Sequence, residues 1–364
     1  MARISSPAKN PMTAVNQELI AQRLNLSRAT VSRSLANHHA ISAATRQRVQ
    51  AMAEKLGYQL SPGRVGRRGK KSRALTIGVL IGIPAEKVEM ATFPYILRGI
   101  QARAEIEHVT IDVCYQAPAD FHPESGRQPV FRNMRQGNWR GTILIYPFAE
   151  KAVEMISQRV STVAVLESYN QPGIDIIDTD DASAMVALVE RLAEAGHRRI
   201  GFLSWDYPIG GHWVARRFSG YVEALFLQGL PFRPEWVLNV DKNSPRLSPP
   251  QVADTVARLV RDDRVTAWVC AADHQAYQLA ADLPARGLRV PVDVSITGFD
   301  GLDPAAGQKR VTSMRVPHEQ IGSAAVTRLV NRIQHPTAPR RKILVEAELV
   351  TGETIAPPAG GGAP

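Results

Sequence analysis

From Leu75 onward, short apolar runs alternate with amphipathic stretches: Leu75 to Ile81, Ile111 to Tyr115, Thr142 to Tyr146, Thr162 to Leu166, Ile200 to Ser204, Ala267 to Ala271 and Val294 to Phe299. Apolar runs this short suit strands, and the stretches between them supply the covering helices. The alternation therefore predicts parallel sheets in an α/β body. The clearest unit starts at the capping pair Asp180-Asp181, places Met185, Leu188, Val189 and Leu192 on one helix face, stops at Gly196 and enters the strand Ile200 to Ser204. At 364 residues and 44% hydrophobic content the chain is too long for one ordinary domain and apolar enough for large cores, so the body is expected to have two lobes. In open sheets of this kind a ligand sits beyond the carboxyl ends of the strands.

Before this body lies a different pattern. Residues 26 to 35 read Leu-Ser-Arg-Ala-Thr-Val-Ser-Arg-Ser-Leu. Ser27 can cap a helix here, Val31 and Leu35 share an inward face, and Arg28, Ala29, Ser32 and Arg33 fall on the opposite one. Gln17 to Leu24 forms a helix before it, with Ile20 and Leu24 inward, and Asn25-Leu26 makes the corner. A third helix runs from Ser42 through Val49, Met52, Ala53 and Leu56 to Gly57. The set reads as an all-α helix-turn-helix headpiece, whose second helix enters a major groove. An ordinary helical hairpin with a solvated basic face is the alternative.

Charge separates these readings. The chain carries +10, but residues 1–73 hold 14 Lys and Arg against 2 Asp and Glu, a net of +12, and the remaining residues hold 30 against 32, a net of −2. Such asymmetry places a polyanionic partner at one end. No segment is apolar enough to span a membrane, and no signal-peptide pattern opens the sequence. Cys114 and Cys270 stand far apart without metal-ligand spacing, which suits buried thiols in a reducing cytoplasm. Residues 63–72 are glycine-rich and basic, but their spacing is wrong for a phosphate loop and no strand precedes them. With no nucleophile elbow or zinc motif, neither an enzyme nor a cofactor is expected.

The pieces Thr-Val-Ser-Arg at 30–33, Ile-Ser-x-x-Thr-Arg at 41–46 and Leu-Gly-Tyr at 56–58 resemble the lac repressor/galactose repressor family. The body continues the likeness with Gly196-His-Arg-Arg-Ile200, Arg217-x-x-Gly-Tyr221, the run Gly287 to Ser295, Gly298-Phe-Asp300 and Ile321-Gly-x-x-Ala-Val326. The resemblance implies a periplasmic-binding-protein-like body controlled by a small sugar-like effector, and a homodimer on a near-palindromic double-stranded DNA operator. By it, Arg28, Ala29 and Arg33 read bases, while Ser27, Thr30 and Ser32 meet phosphates. Arg217 and Asp300 would hold the effector, Phe93 would be a stacking wall, and Asp273 would keep half of an Asn-Asp pair whose Asn is Ala272 here. Trp205, Tyr207, His212, Trp213 and Arg216 cluster around Gly210-Gly211, and Trp205 and Trp213 are expected to pack on a sugar ring. The alternatives are that the aromatics fill the rim and that Arg217–Asp300 is a structural ion pair.

The expected organisation is a disordered arm at 1–12, the headpiece at 13–60, a basic hinge at 61–74, the body at 75–356 and a disordered tail at 357–364. Lobe 1 would take about 75–175 and 307–337, and lobe 2 about 176–306 and 338–356. Relatives often end a hinge helix in a leucine that wedges into the minor groove. Gly69 occupies that position here, and Gly63 and Gly66 disfavour helix as well. A weakly ordered hinge in which Arg64, Arg67, Arg68, Lys70 and Lys71 track phosphates is therefore expected.

Overall fold

The computed structural model describes residues 17–35, 41–56, 75–83, 92–118, 121, 129–205, 212–241 and 245–359. The arm, the hinge with its six basic residues, and the end of the tail lie outside them.

Three helices form the headpiece: α1 (Gln17–Leu24), α2 (Arg28–Leu35) and α3 (Ala43–Lys55). Asn25 turns the corner with φ 52°, the left-handed conformation that asparagine tolerates. The Thr30 backbone N–H donates to Ser27 Oγ at 3.1 Å, and that of Thr45 to Ser42 Oγ at 3.2 Å, so each helix start satisfies a donor that has no intrahelical partner. Ile20, Ala21, Val31, Val49, Ala53 and Leu56 close the core, with Leu24, Leu35 and Met52 packed against it.

The body carries two six-stranded sheets. Its elements are β1 (Thr76–Ile81), α4 (Phe93–Ile106), β2 (Thr110–Tyr115), α5 (Pro129–Arg135), β3 (Gly141–Ile145), α6 (Glu150–Ser157), β4 (Ser161–Val165), β5 (Ile174–Thr179), α7 (Asp181–Glu194), β6 (Ile200–Leu203), α8 (Trp213–Leu227) and β7 (Val237–Leu238). They continue as α9 (Pro249–Asp262), β8 (Ala267–Cys270), α10 (Asp273–Asp282), β9 (Ser295–Asp300), β10 (Thr312–Arg315), α11 (His318–Gln334), β11 (Lys342–Val345) and β12 (Glu348–Val350). The first sheet has the order β11-β5-β4-β3-β1-β2 and the second β12-β10-β9-β8-β6-β7. β1 lies parallel to both β2 and β3, with Val79 opposite Val113 and Ile143. In the second sheet β6, β8, β9 and β10 are parallel neighbours, and β12 is antiparallel to β10. Strands buried on both faces explain the unbroken apolar runs. Among the described residues no helix is long and apolar enough to cross a membrane.

The chain divides into two compact units, Met1–Val165 with Tyr169–Asp175 and Gly322–Arg341, and Leu166–Ser168 with Ile176–Ile321 and Lys342–Pro364. This corrects the expected lobe limits. Residues 307–321 belong with the second unit, because β10 takes its ladder from β9 with Thr312 opposite Thr297 and Met314 opposite Phe299. The chain changes unit at Gly322, which packs so tightly on α4 that a Cβ there would lie 2.1 Å from the Ile96 carbonyl oxygen. Residues 338–341, expected in the second lobe, stay with the first.

A buried carboxylate accounts for that last difference. Asp175 is fully buried and accepts from Arg328 Nε (2.7 Å) and Nη2 (3.3 Å), from Arg332 Nε (2.8 Å) and Nη2 (2.7 Å), and from the Arg341 backbone N–H (2.6 Å). Burial works against its charge, yet the two guanidinium forks and the backbone N–H outweigh that and hold its carboxyl below the usual range. Arg332 also donates to the carbonyls of Ala338 and Pro339, which fastens the chain after α11.

Candidate functional site

The candidate functional residues gather in two places, one on the headpiece and one in the second unit. On α2, Val31 and Ser34 are fully buried, and the Ser34 hydroxyl donates to the Thr30 carbonyl at 2.8 Å. The buried pair fixes the roll of the helix and leaves Arg28, Ala29 and Arg33 exposed, with Ser32 at the margin. The hydroxyls of Ser27 and Thr30 lie 2.8 Å apart and Ser27 Oγ also takes the Thr30 N–H, so both serve the cap. A short helix held this way presents two guanidinium groups and a small apolar residue, which suits base edges and thymine methyls in a major groove.

The second place lies at the carboxyl ends of β6, β8 and β9, which run parallel and so open on one edge of the second sheet. Arg217, near the start of α8, is its hub. Its Nε donates to Asp181 Oδ1 at 3.2 Å, Nη1 to the Ala271 carbonyl at 2.6 Å, and Nη2 to Asp300 Oδ1 at 3.2 Å. Its guanidinium carbon lies 3.7 Å from the Phe299 ring centroid and 4.9 Å from that of Trp213. Arg216 donates to Asp181 Oδ2 at 2.9 Å and to Asp178 Oδ1 at 3.3 Å. Asp300 ends β9 with φ 119°, a conformation unfavourable for any residue with a Cβ, and Gly301 follows at φ 71°. The Asp300 side chain is 17% exposed. Burial raises its pKa to about 7, with Asp273 and Asp181 adding to the rise and Arg217 opposing it.

The remaining expected residues fall differently. Asp273 is fully buried: Ser313 Oγ donates to its Oδ1 at 2.6 Å, and the Leu302 N–H to its Oδ2 at 2.6 Å. With both oxygens engaged, it braces β9 and β10 under Asp300. Trp205 packs in the core of the second unit with Leu203, Trp236 and Leu238, and meets the His274 ring edge-on at 6.4 Å. Phe93, only 2% exposed, packs edge-on against Tyr115 at 5.5 Å within the first unit. Both are buried in the cores of their units. Trp213 keeps one partly exposed face beside Arg217. Tyr207, Gly210 and Gly211 lie outside the described residues, and His212 is gripped by Glu167, through Nδ1 at 2.8 Å and the backbone N–H at 3.3 Å.

Sequence reading took Asp181 for a helix cap and overlooked Asp178, Glu167, His274 and His318. The acidic stretch Asp178-Thr-Asp-Asp181 was the available signal for Asp178 and Asp181. Burial and the nearby Arg217 charge lower the pKa values of His274 and His318 to about 4, so both are neutral at pH 7. Among the described residues no group of three or more His, Cys, Asp or Glu is placed to hold a metal.

Residues 19–61 match the family described as bacterial regulatory proteins, lacI family, and residues 189–355 match a periplasmic binding protein-like domain. The chain belongs to the LacI family. Its similarity to other LacI-family regulators runs nearly end to end. It is 27% identical to the HTH-type transcriptional repressor CytR of Escherichia coli K12, covering 96% of this chain and 99% of that one. It is 28% identical to the repressor MelR of Bacillus subtilis, covering 89% and 93%. The fold is also that of a lac repressor dimer bound to operator and an anti-inducer (TM-score 0.62, 22% identity, 94% of this chain and 100% of the other) and of a CelR–cellobiose complex (0.60, 22%, 93% and 99%). As a LacI-family member the chain is a DNA-binding transcriptional regulator.

Proposed function

We propose that this regulator is a repressor that binds a near-palindromic operator as a homodimer and is switched by a small sugar-like effector held by the second unit. The observation that carries the DNA half is the seating of α2: its buried Val31 and Ser34 commit Arg28, Ala29 and Arg33 to the outside. Arg64, Arg67, Arg68, Lys70 and Lys71 would add phosphate contacts. The effector half rests on Arg217 and Asp300 at strand ends with Trp213 beside them, a fixed cation and carboxylate suited to a polar ring. Asp273 acts beneath them as a brace, and Trp205 packs in the core of the same unit. The repressor names of CytR and MelR, the cellobiose in the CelR complex and the ribose in an Enterococcus faecium relative of the same fold (TM-score 0.58, 20% identity, 78% of this chain and 99% of the other) agree with this reading.

Switching requires only that the effector favour one arrangement of the protein over another, and that the operator favour the other. Binding-site selection with the full-length protein tests the reading. A two-fold symmetric consensus, with affinity falling by about 0.9 log units per log unit of salt for each phosphate neutralised, is expected. Sequence-indifferent binding or a flat salt titration would refute it.

A further inference from the structure

A buried hydrogen bond joins the headpiece to the first sheet. Tyr115, the last residue of β2, donates its hydroxyl to the Leu56 carbonyl at 3.2 Å, and both residues belong to the first unit. Leu56 caps α3 and sits in the headpiece core, and carbonyls at the end of a helix have no partner inside it. Tyr115 and Leu56 are each 9% exposed. The Phe93 ring meets that of Tyr115 edge-on at 5.5 Å and so aims the hydroxyl. Burial pushes the phenol above its ordinary range, which keeps the proton that the bond needs.

The bond holds the headpiece at the far end of the sheet from the point where the chain enters the body. β1 and β2 are parallel, with Thr76 opposite Thr110 and Ile81 opposite Tyr115. Leu56 is therefore held beside the carboxyl end of these strands, whereas the body begins at their amino end, about 17 Å away at roughly 3.3 Å per residue. Residues 57–74 suffice for either placement of the headpiece, since a chain of that length can span about 60 Å. Phosphate contacts by Lys70 and Lys71, shortly before Thr76, would bring the duplex to the amino end. A headpiece reading the same duplex beside them has to leave Tyr115. Arg28, Ala29 and Arg33 stay exposed while the bond is made, so it constrains where α2 is placed and leaves its reading face open.

We propose that Tyr115 parks the headpiece against the first sheet when no operator is bound, and that each headpiece gives up this contact to take its half-site, which rests on the reading of α2 and the basic segment as the DNA-binding part. Operator and body then compete for the same headpiece, and whatever stabilises one state depletes the other. The net worth of one such hydrogen bond is about a two- to ten-fold shift in an equilibrium. That is enough to weaken operator binding without preventing it.

The test compares full-length wild type with Tyr115→Phe by fluorescence anisotropy on the operator recovered by site selection. Loss of the hydroxyl should tighten binding about two- to ten-fold for each headpiece released, with the same consensus and salt slope. Hydroxyl-radical footprinting of the wild type is the second readout. Without DNA, Tyr115 should react as slowly as the buried Tyr221 and far more slowly than Tyr95, which is 44% exposed. Operator should raise the Tyr115 reactivity about two-fold or more, because the released state uncovers the ring. Unchanged or weaker operator binding by Tyr115→Phe, a fast-reacting Tyr115 in the free protein, or a reactivity that operator leaves unaltered overturns the proposal. The wild-type footprint decides alone if the variant does not fold. Failure to recover any consensus would remove the DNA reading and the parked state with it, whereas a consensus bound equally by both proteins removes the parked state alone.

Discussion

Replacing Asp175 by Asn should be among the most damaging conservative changes in the chain. The side chain keeps its shape, but one acceptor oxygen becomes an NH2 facing N–H donors, and the carboxylate shared by Arg328 and Arg332 loses its charge. Both arginine side chains are 5% exposed, so water cannot take over the lost role. Removing one partner of a buried, multiply hydrogen-bonded ion pair costs about 3–5 kcal/mol, which lowers the melting temperature of a unit of this size by roughly 6–20 °C. Asp303 with Arg310 is the control. Its ion pair is about as short, 2.8 Å against 2.7 Å, but the Asp303 side chain is 83% exposed, and Asp303→Ala should cost less than about 1 kcal/mol. Scanning calorimetry on the full-length protein, with transitions resolved because two units need not unfold together, gives both values. The sign with pH is also set. A carboxyl held below its ordinary value of 3.8 contributes stability that is complete above that pH and lost as pH falls through its folded value, so the gap between wild type and Asp175→Asn should close only in acid. A destabilisation no larger than that of Asp303→Ala would refute the assignment of Asp175 as the keystone of the first unit.

Arg28→Ala and Arg33→Ala should each cost about 1–3 kcal/mol at particular operator positions and relax the consensus there, whereas Lys70→Ala and Lys71→Ala should weaken all sequences alike and flatten the salt slope by about 1 per residue; unchanged consensus logos for the arginine variants would overturn the reading-helix assignment. Because the Asp300 carboxyl has its pKa raised from 3.8 to about 7, the folded protein binds its proton more tightly than the unfolded chain, and stability should fall as pH rises through that window. Asp300→Asn should remove this loss, so melting curves at pH 5 and pH 8 that decline equally in variant and wild type would contradict it. Gly322→Ala places a methyl against the Ile96 carbonyl and should cost about 1–3 kcal/mol by overpacking; urea unfolding with an unchanged midpoint would show that α4 and α11 can separate freely.

The headpiece was legible almost residue by residue, because its determinants are local: caps at Ser27 and Ser42, a left-handed asparagine, and apolar positions three and four apart. The body was legible as a class but not as a map. Periodicity finds β1, β3 and β9, but β5 carries Asp175 and Asp178 and β10 is mostly polar, so neither stands out as an apolar run. Asp175 meets Arg328 and Arg332 across more than 150 residues of chain, and no local pattern announces such a pairing. At the candidate effector site, motif matching led to Arg217 and Asp300, which the fold brings together. It also singled out Phe93, Trp205 and Asp273, whose burial depends on neighbours distant in sequence. An aromatic or acidic residue looks the same on paper whether it faces a ligand or a core.

The headpiece closes its core between Ile20 and Leu56, a single stretch of chain, while the two body sheets wait for β11 and β12 at 342–350 to gain their outer strands. During synthesis, then, the reading helix is complete long before the part that would restrain it. A message truncated upstream of residue 342 would still encode that helix but not a finished body. Such fragments would compete for operators while remaining deaf to the effector, so quality control of incomplete chains matters more for this architecture than for one whose control unit is made first.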